Sequence, residues 1–395
     1  MNLFLQRLTL QNYRSIGSCS IRLAPLTFLV GPNASGKSNC LDAIRFVADA
    51  LRTSLDHAIR ERGSINEVRR RSGGHPVNFA IRLDFMMPDS STGHYSFKIG
   101  AQNSGGFEIV AEELSIKPTN REALHYYRVE RGNVTKTSEG ILPAAYSDRL
   151  FLVAASGLPA FRPVYEALCR MDVYNLNPKE VASLQRPDPG DRLLRDGKNA
   201  ASVFQNLSEP AREKVREYLP RIIPGIADAE TKGLGPQETL EFRQVIQGQK
   251  HPWRFFAASM SDGTLRAFGI LLALFQGVGR ALHAPVIGLE EPEMALHPGA
   301  SGVLMGALRE ASETTQIIVT SHSPELLDDP DIDPGSIFSV VNEEGNSYIA
   351  PVDEAGRELM KKRLFTAGEL LRQNQLTPEP STSGSLLVQS FFDLK

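Results

Sequence analysis

The chain has 395 residues, of which 41% are hydrophobic, and a formal net charge of -3 at neutral pH. This length is ample for burying a core in one large composite domain or two smaller ones. The slightly negative charge excludes a globally basic nucleic-acid binder but leaves room for a local basic patch.

The sequence predicts a cytoplasmic protein. Its three cysteines, Cys19, Cys40 and Cys169, show neither metal-ligand spacing nor a disulfide framework, as is typical of a reducing compartment. The N-terminus lacks the layout of a signal peptide. The longest apolar run, residues 268–275, is far too short to span a bilayer, so we expect no membrane partner.

The first part of the chain predicts strands followed by a phosphate-binding loop. Alternation indicates a strand at 4–10, a second one near 20–23 and a buried one at 25–30. Residues Gly31 to Ser38 then match the pattern G-x-x-x-x-G-K-[ST] at every fixed position. Apolar residues at three- and four-residue steps over 39–55 predict an amphipathic helix after the loop.

This order of strand, loop and helix indicates binding of a nucleoside triphosphate. The glycines allow the backbone N–H groups to point inward, and the helix N-terminus favours anions. We expect Lys37 to reach the β- and γ-phosphates and the Ser38 hydroxyl to bind Mg²⁺. The candidate nucleotide-binding residues are Gly31, Pro32, Asn33, Ala34, Ser35, Gly36, Lys37, Ser38 and Asn39.

The middle of the chain predicts an antiparallel β lobe followed by helices. Well-alternating segments separated by turn residues lie at 77–87, 94–101, 107–116 and 124–129, and a further strand is expected at 150–154. Helical patterns follow at 162–171, 199–207 and 209–219, ahead of Pro220 and Pro224. No heptad pattern persists, so no long coiled coil is expected.

The later part of the chain predicts parallel strands that alternate with helices. An apolar helix is expected at 268–278, a buried strand at 285–289, a helix at 302–312 and a second buried strand at 316–320. The first of these strands ends in Glu290-Glu291, and the second is followed by Ser321 and His322. In such a sheet, functional loops lie at the strand ends.

These strand ends carry the candidate catalytic groups. Glu290 is assigned to the Mg²⁺ side of the site, and Glu291 is expected to polarise the attacking water. His322, as a neutral imidazole, is expected to hydrogen-bond the γ-phosphate or that water. The alternatives are a helix start for the glutamate pair and an ordinary loop histidine.

Taken in order, these motifs resemble the ABC-type ATPase heads of the RecF, SMC and OLD branch, and within it the short "predicted ATPase" proteins. The resemblance rests on the phosphate loop, Asn12-Tyr13-Arg14-Ser15-Ile16, Ser261-Asp-Gly-Thr264, Leu289-Glu-Glu-Pro-Glu293 with Leu296-His-Pro298, and Thr320-Ser-His-Ser-Pro324. It covers roughly residues 1–55 and 255–325, with a weaker match at Leu194-Arg-Asp-Gly-Lys-Asn199 between them.

The resemblance implies an α/β P-loop NTPase fold of the ABC-ATPase type. It has a mixed or parallel core sheet, an antiparallel β lobe and a helical lobe. The implied single composite head occupies residues 1–375. Its nucleotide-binding lobe would comprise 1–158 and 250–350, and 159–249 would form a helical insertion on the signature side. A flexible tail with an apolar end, 376–395, follows.

The family also implies a mechanism in which Mg²⁺ and ATP are sandwiched between two heads of a homodimer. By that analogy Ser261 and Gly263 would contact the γ-phosphate bound to the opposing subunit. Two features depart from the family pattern, since Met260-Ser-Asp-Gly-Thr264 replaces Leu-Ser-Gly-Gly-Gln and Glu290 replaces an aspartate. No Q-loop glutamine is assigned, and we expect no room for the nuclease domain that OLD proteins carry after the head.

The leading functional hypothesis is an ATP-hydrolysing head that dimerises around ATP and drives a separate effector protein, such as a nuclease. DNA binding is compatible with it, as are DNA repair, chromosome maintenance and anti-phage defence. The rival is a nucleotide-gated clamp or scaffold that binds DNA or a partner protein and scarcely hydrolyses. A small-molecule kinase is a distant third, because it leaves the signature stretch unexplained.

The end of the chain gives two further alternatives. A low-complexity spacer, 376–385, precedes an apolar end, 386–394, which contains Phe391, Phe392 and Leu394. Exposed aromatic residues there would reduce solubility unless they are buried. The segment either docks on its own head or on the second subunit, or it forms a short motif for another protein, loosely resembling the peptides that bind bacterial sliding clamps.

Overall fold

The structure is a computed structural model that describes residues 4–71, 77–102, 105–119, 123–140, 142–280, 283–380 and 391–394. The chain forms two compact units. The first comprises residues 1–171, 333–358 and 376–395, and the second comprises 172–332 and 359–375. These boundaries differ from the predicted ones, because the strands near 287 and 318 cluster with the helical region. That the chain acts as one composite head stays a prediction.

The strands run in chain order as β1 Leu5–Tyr13, β2 Ile16–Arg22, β3 Leu26–Val30, β4 Asn78–Met86, β5 Thr92–Ala101, β6 Phe107–Lys117, β7 His125–Glu130, β8 Asn133–Thr137, β9 Asp172–Tyr174, β10 Ile226–Leu234, β11 Gln237–Gln244, β12 Trp253–Phe256, β13 Val286–Glu290, β14 Gln316–Ser321, β15 Ile337–Glu343 and β16 Asn346–Pro351. The helices are α1 Lys37–Arg52, α2 Leu55–Arg60, α3 Ile65–Val68, α4 Phe151–Ala155, α5 Arg162–Cys169, α6 Pro178–Ala182, α7 Ala200–Gln205, α8 Glu209–Ile222, α9 Asp262–Phe275, α10 Ser301–Ser312, α11 Glu354–Lys361 and α12 Ala367–Arg372.

The first unit is built on a mixed sheet with the order β8-β7-β6-β5-β4-β1-β2-β16-β15-β3. Neighbouring strands from β8 to β2 pair antiparallel, which confirms the predicted β lobe. Strand β3, which leads into the phosphate loop, pairs parallel with β15. Helix α1 buries an apolar face that includes Leu41, Ile44 and Val47, as its spacing predicted.

The second unit contains a parallel arrangement, β14-β13-β9, and a separate antiparallel sheet, β10-β11-β12. Strands β13 and β14 are buried apolar runs whose carboxyl ends lie side by side, with Glu290 opposite Thr320. Helix α9 is buried over most of its length, consistent with its apolar composition. Helix α8 continues through Pro220 to Ile222, so the predicted break at that proline is wrong.

The strand predicted at 150–154 is also wrong, because helix α4 occupies residues 151–155. The cause is Glu112, a fully buried glutamate of β6. Its carboxylate accepts hydrogen bonds from the backbone N–H groups of Phe151 (2.6 Å) and Leu152 (2.9 Å). A carboxylate at these N–H groups satisfies the first turn of a helix. Local alternation alone did not reveal this partner.

The Glu112 carboxylate also accepts hydrogen bonds from the hydroxyls of Tyr95 (3.0 Å) and Tyr127 (2.9 Å). Burial raises the pKa of Glu112, while these four hydrogen bonds oppose the rise. One side chain therefore joins three strands of the β lobe to helix α4.

We expect Glu112→Ala to lower the free energy of unfolding by at least about 3 kcal/mol, because it leaves four buried donors without their acceptor. Glu108→Ala is the control, since Glu108 lies on the same strand and is only half-buried. Urea unfolding of both variants measures the difference. Equal losses in the two variants would contradict the central role of Glu112.

Candidate functional site

The phosphate loop packs so closely on neighbouring strands that two glycines have no room for a side chain. A Cβ at Gly31 would lie 2.0 Å from the carbonyl oxygen of Val340 on β15. A Cβ at Gly36 would lie 2.0 Å from the Ser347 Oγ on β16, and Gly36 has a φ of 106°, which favours glycine. The backbone curl that the motif predicted is therefore imposed by strands more than 300 residues away.

Lys37 begins helix α1, and its ammonium group points back across the loop. Its Nζ donates hydrogen bonds to the carbonyl oxygens of Gly31 (2.9 Å) and Pro32 (3.0 Å), and the side chain is buried. Ser38 and residues 32–34 are exposed. The loop thus presents exposed groups over a buried cation, which is the arrangement that binds phosphates.

Two serine side chains and an asparagine hold the loop in place. The Ser347 Oγ donates to the carbonyl of Ser35 (2.6 Å) and lies 2.6 Å from the Ser15 Oγ. The Asn39 amide also donates to the Ser15 Oγ (2.6 Å). Within the described ranges, the buried Ser35 Oγ has no hydrogen-bond partner. An unused hydroxyl inside the loop fits an anionic ligand.

A buried ionic cluster fastens helix α1 beneath the loop. The Asp42 carboxylate accepts a hydrogen bond from the Tyr13 hydroxyl (2.7 Å) and pairs with Arg14 (2.8 Å) and Arg62 (2.9 Å). Burial opposes ionisation of Asp42, but the charges of Arg62 and Arg14 outweigh it and hold its pKa below the usual value. The carboxylate is therefore ionised at neutral pH and ties the helix to the end of β1 and to the turn after α2.

In the second unit, the Glu290 carboxylate forms an ion pair with an arginine. This carboxylate lies 2.7 Å from Arg195 Nη2 and accepts a weak hydrogen bond from Asn175 (3.5 Å). Arg195 belongs to the stretch 194–199 that only weakly matched the family. A metal-side role for Glu290 therefore requires this arginine to share or release the carboxylate.

Glu291 and His322 are brought together at the ends of β13 and β14. The Glu291 Oε1 lies 3.2 Å from the His322 Nδ1, and both side chains are partly exposed. Glu291 has a φ of 45°, which is uncommon for a residue with a side chain. Its N–H donates to the Thr320 carbonyl (3.0 Å), so this conformation is held by the neighbouring strand.

Two side chains that sequence reasoning missed support this turn. Arg266, buried on α9, donates to the carbonyl oxygens of Glu290 (3.1 Å) and Glu291 (3.0 Å), and burial lowers its pKa. Glu293 is buried, accepts a hydrogen bond from Ser321 (2.5 Å), and has a pKa raised by that burial. The available signal for Arg266 was one arginine within an otherwise apolar helix.

The signature residues begin helix α9. The exposed Ser261 is the N-cap, and its Oγ accepts a hydrogen bond from the Thr264 N–H (3.3 Å). Gly263 lies against the loop after β13, where an added Cβ would approach the Ala295 carbonyl to 2.4 Å. The second unit thus joins the signature to the loop that follows the glutamates. The phosphate loop belongs to the first unit.

The phosphate loop of the first unit fits the phosphates of a nucleotide, since it combines a buried ammonium group with an unused buried hydroxyl. In the part of the chain that the structure describes, no group of three or more histidine, cysteine or acidic side chains is placed to hold a metal ion. Mg²⁺ in nucleotide sites needs only one or two protein ligands, since phosphates and water supply the rest. The phosphate loop would hold the nucleotide, and the roles of Ser38 and Glu290 as Mg²⁺ ligands stay predictions.

A family model described as "AAA domain, putative AbiEii toxin, Type IV TA system" matches residues 26–328, and the chain belongs to this family. Two relatives are similar over most of the chain. An OLD nuclease of Thermus scotoductus is 26% identical over 355 residues, covering 82% of this chain and 60% of the relative. The Old nuclease of Escherichia phage P2 is 24% identical over 358 residues, covering 83% and 58%. The chain thus spans less than two thirds of either relative.

Two solved structures have a similar fold. An SMC head bound to the C-terminal winged-helix domain of ScpA has a TM-score of 0.56 at 16% identity, covering 88% of this chain and 97% of that one. A Pyrococcus furiosus SMC head with an extended coiled coil, bound to the C-terminal domain of ScpA, has a TM-score of 0.58 at 13% identity, covering 91% and 99%.

The family, relatives and fold together confirm the predicted class, an ABC-type ATPase head of the RecF, SMC and OLD branch. The predicted α/β fold with a mixed sheet is confirmed as well. Among the described helices, none is long and apolar enough to cross a membrane.

We expect Gly36→Ala to lower the free energy of unfolding by at least about 1–2 kcal/mol, because it places a side chain at positive φ and against Ser347. Gly302→Ala is the matched control, since it lies within helix α10 with nothing within 4 Å of the added Cβ. The control should be neutral or stabilising by about 0.5–1 kcal/mol. Chemical denaturation compares the two, and a neutral Gly36→Ala would contradict the close packing of the loop.

Proposed function

We propose that this chain binds ATP with Mg²⁺ at the loop Gly31–Ser38 and hydrolyses it to ADP and phosphate. The observation that carries the proposal is the buried Lys37 ammonium, held across the loop by the Gly31 and Pro32 carbonyls. Phosphate oxygens are better partners for this cation than carbonyl oxygens, because the hydrogen bonds are between opposite charges. Family membership supports the same activity.

In the proposed reaction, Glu291 accepts a hydrogen bond from the attacking water and polarises it. His322 uses its Nδ1 toward the Glu291 carboxylate, which leaves its Nε2 for the γ-phosphate or the water. Arg266 holds the backbone of the two glutamates and so keeps Glu291 in position. When bound, Mg²⁺ would supply charge neutralisation to the phosphates.

The chain is proposed to act as a homodimer with ATP sandwiched between its heads. Ser261 supports this role, because it is exposed at the N-terminus of the 14-residue helix α9. Helix N-termini bind anions, so this end is suited to a γ-phosphate that a second subunit presents. Gly263 would allow close approach of the backbone.

A separate effector, a nuclease or similar protein, is proposed to use the ATP cycle. Two observations support it: the relatives are named nucleases, and two solved heads of similar fold are bound to domains of another protein. DNA repair, chromosome maintenance and anti-phage defence are the proposed settings, with DNA as a further partner. The proposed place of action is the cytoplasm.

A second candidate function is a nucleotide-gated clamp that hydrolyses little. The ion pair between Arg195 and Glu290 favours it, because this arginine competes with Mg²⁺ for the carboxylate. The altered signature Met260–Thr264, in which Asp262 and Thr264 replace a glycine and a glutamine, favours it as well. Hydrolysis kinetics separate the two candidates.

We expect Lys37→Ala to weaken ATP binding by about a hundredfold, since two charge-assisted hydrogen bonds contribute roughly 3 kcal/mol. Lys98→Ala, on strand β5 of the same unit, is the control. Isothermal titration calorimetry with ATP and Mg²⁺ measures both, alongside melting temperatures that check folding. Unchanged affinity in a folded Lys37→Ala variant would disprove the nucleotide site.

Glu291→Gln should retain ATP binding, reduce hydrolysis by at least about a hundredfold, and accumulate an ATP-bound dimer. The amide keeps the size of the side chain but cannot accept the proton of the water. The control is Glu313→Gln, an exposed residue just after α10. Phosphate release and light scattering test the two parts, and a monomer at saturating ATP contradicts the sandwich.

Ser261→Arg should prevent that dimer by adding bulk and charge to the facing surface, while each monomer still binds ATP. Combined with Glu291→Gln, it should return the light-scattering mass to that of a monomer. Hydrolysis that survives Ser261→Arg would show that catalysis needs no second subunit.

A further inference from the structure

The β lobe presents a polar face that extends over five strands and carries charged side chains on four of them. One row of this face runs from Thr9 on β1 through Arg82, Ser96 and Glu113 to Arg128 on β7, each residue opposite the next. His94 lies beside this row on β5, opposite Asp84 on β4. We call the group Arg82, His94, Glu113 and Arg128 the charged row.

Residues Phe391–Leu394 lie directly on the charged row. The Asp393 carboxylate accepts two hydrogen bonds from Arg82, at 2.9 and 2.8 Å, and lies 3.5 Å from His94 Nδ1. The Phe391 side chain is buried, and its carbonyl accepts from Arg82. Of the predicted tail, residues 381–390 and 395 lie outside the described part of the chain. The described end contacts its own head, as the first of the two alternatives predicted.

The backbone of the segment is recognised as well. The Asp393 N–H donates to the Glu113 carboxylate (2.7 Å), and the Leu394 carbonyl accepts from Arg128 (2.5 Å). The Arg128 guanidinium also stacks on the Phe392 ring, 5.0 Å from its centroid. Donors and acceptors of the face thus match a peptide that carries two aromatic residues and then an aspartate.

The charged row is buried beneath this segment, and its members also pair with one another and with Asp84. The Arg82 side chain is 2% exposed and Glu113 is fully buried. Buried charges are strongly unfavourable unless they are paired and hydrogen-bonded. The Arg82 hydrogen bonds hold the pKa of Asp393 below its usual value, so the partner carboxylate is ionised at neutral pH. A peptide of another molecule that has the same aromatic and carboxylate groups can make the same contacts with the charged row.

Next to the charged row lies a cavity of about 630 Å³. Its lining includes Arg7, Arg22 and Lys117, with His94 and Asp84 on the side that it shares with the charged row. Cations outnumber carboxylates there, so the surroundings also favour an acidic segment.

We propose that the charged row is a binding site for a peptide segment with two consecutive aromatic residues followed by an aspartate. Residues 391–394 of this chain, which we call the resident end, occupy the site and compete with such a peptide. A tethered segment competes at an effective concentration in the millimolar range, so a partner binds only when it exceeds the affinity of the resident end or when that end is displaced. This proposal is independent of ATP binding and hydrolysis.

The test uses a fluorescent peptide with the sequence of residues 389–395, Gln-Ser-Phe-Phe-Asp-Leu-Lys, and the full-length chain. The double variant Phe391→Ser/Asp393→Ser removes the anchors of the resident end and opens the site. We expect the double variant to bind the peptide at least tenfold more tightly than the unaltered chain does, measured by fluorescence anisotropy. A peptide with asparagine in place of its aspartate should bind at least tenfold more weakly, because it loses the charge-assisted pair with Arg82.

Asp393→Asn alone is a milder way of opening the site, and Lys98→Gln in the double variant is a control, since Lys98 lies on β5 outside the charged row. Arg128→Gln in the same background should weaken peptide binding. The proposal is overturned if both opened variants are folded, by circular dichroism and melting temperature, yet bind no peptide at millimolar concentration. Equal binding of the aspartate and asparagine peptides would overturn it too.

Discussion

Close packing of the phosphate loop against strands β15 and β16 is the constraint on which the candidate site depends. Gly31 and Gly36 approach Val340 and Ser347 so closely that no side chain fits at either position. This approach fixes the path of the loop, which in turn sets the direction of the Lys37 ammonium. The ion pairs of Asp42 with Arg14 and Arg62 then anchor the helix that begins at Lys37. A tight glycine loop, a buried cation and a fixed helix N-terminus together make a site suited to phosphates.

Much of this could be predicted from local patterns. Alternation located the strands of the β lobe, and the motif located the loop, because both depend on residues close in sequence. Glu291 and His322 were predicted to share a site, and the structure places them 3.2 Å apart. Long-range partners could not be predicted: Glu112 acts 39 residues away on Phe151, and Arg195 pairs with Glu290 from 95 residues away. Buried charged residues are paired by the tertiary structure, so a periodic pattern in the sequence does not reveal their partners.

In the second unit, the candidate catalytic residues lie at the turn that follows β13. Arg266 holds the carbonyls of Glu290 and Glu291, and the strand neighbour Thr320 holds the strained Glu291 backbone. A residue kept at positive φ by its surroundings is commonly found at functional positions. The same turn leads into Ala295, next to Gly263 of the signature helix. The loop that follows the glutamates thus contacts the start of α9, and under the proposed function this contact would couple hydrolysis to assembly.

The central claim is that ATP is hydrolysed at a site completed by a second copy of the chain. Phosphate release per chain, measured with ATP and Mg²⁺ over a hundredfold range of protein concentration, tests it most directly. A composite site predicts magnesium-dependent release whose rate per chain rises with protein concentration until dimers saturate. A rate per chain that is independent of concentration would contradict the shared site. No release at any concentration, despite ATP binding, would contradict hydrolysis itself and favour the nucleotide-gated clamp.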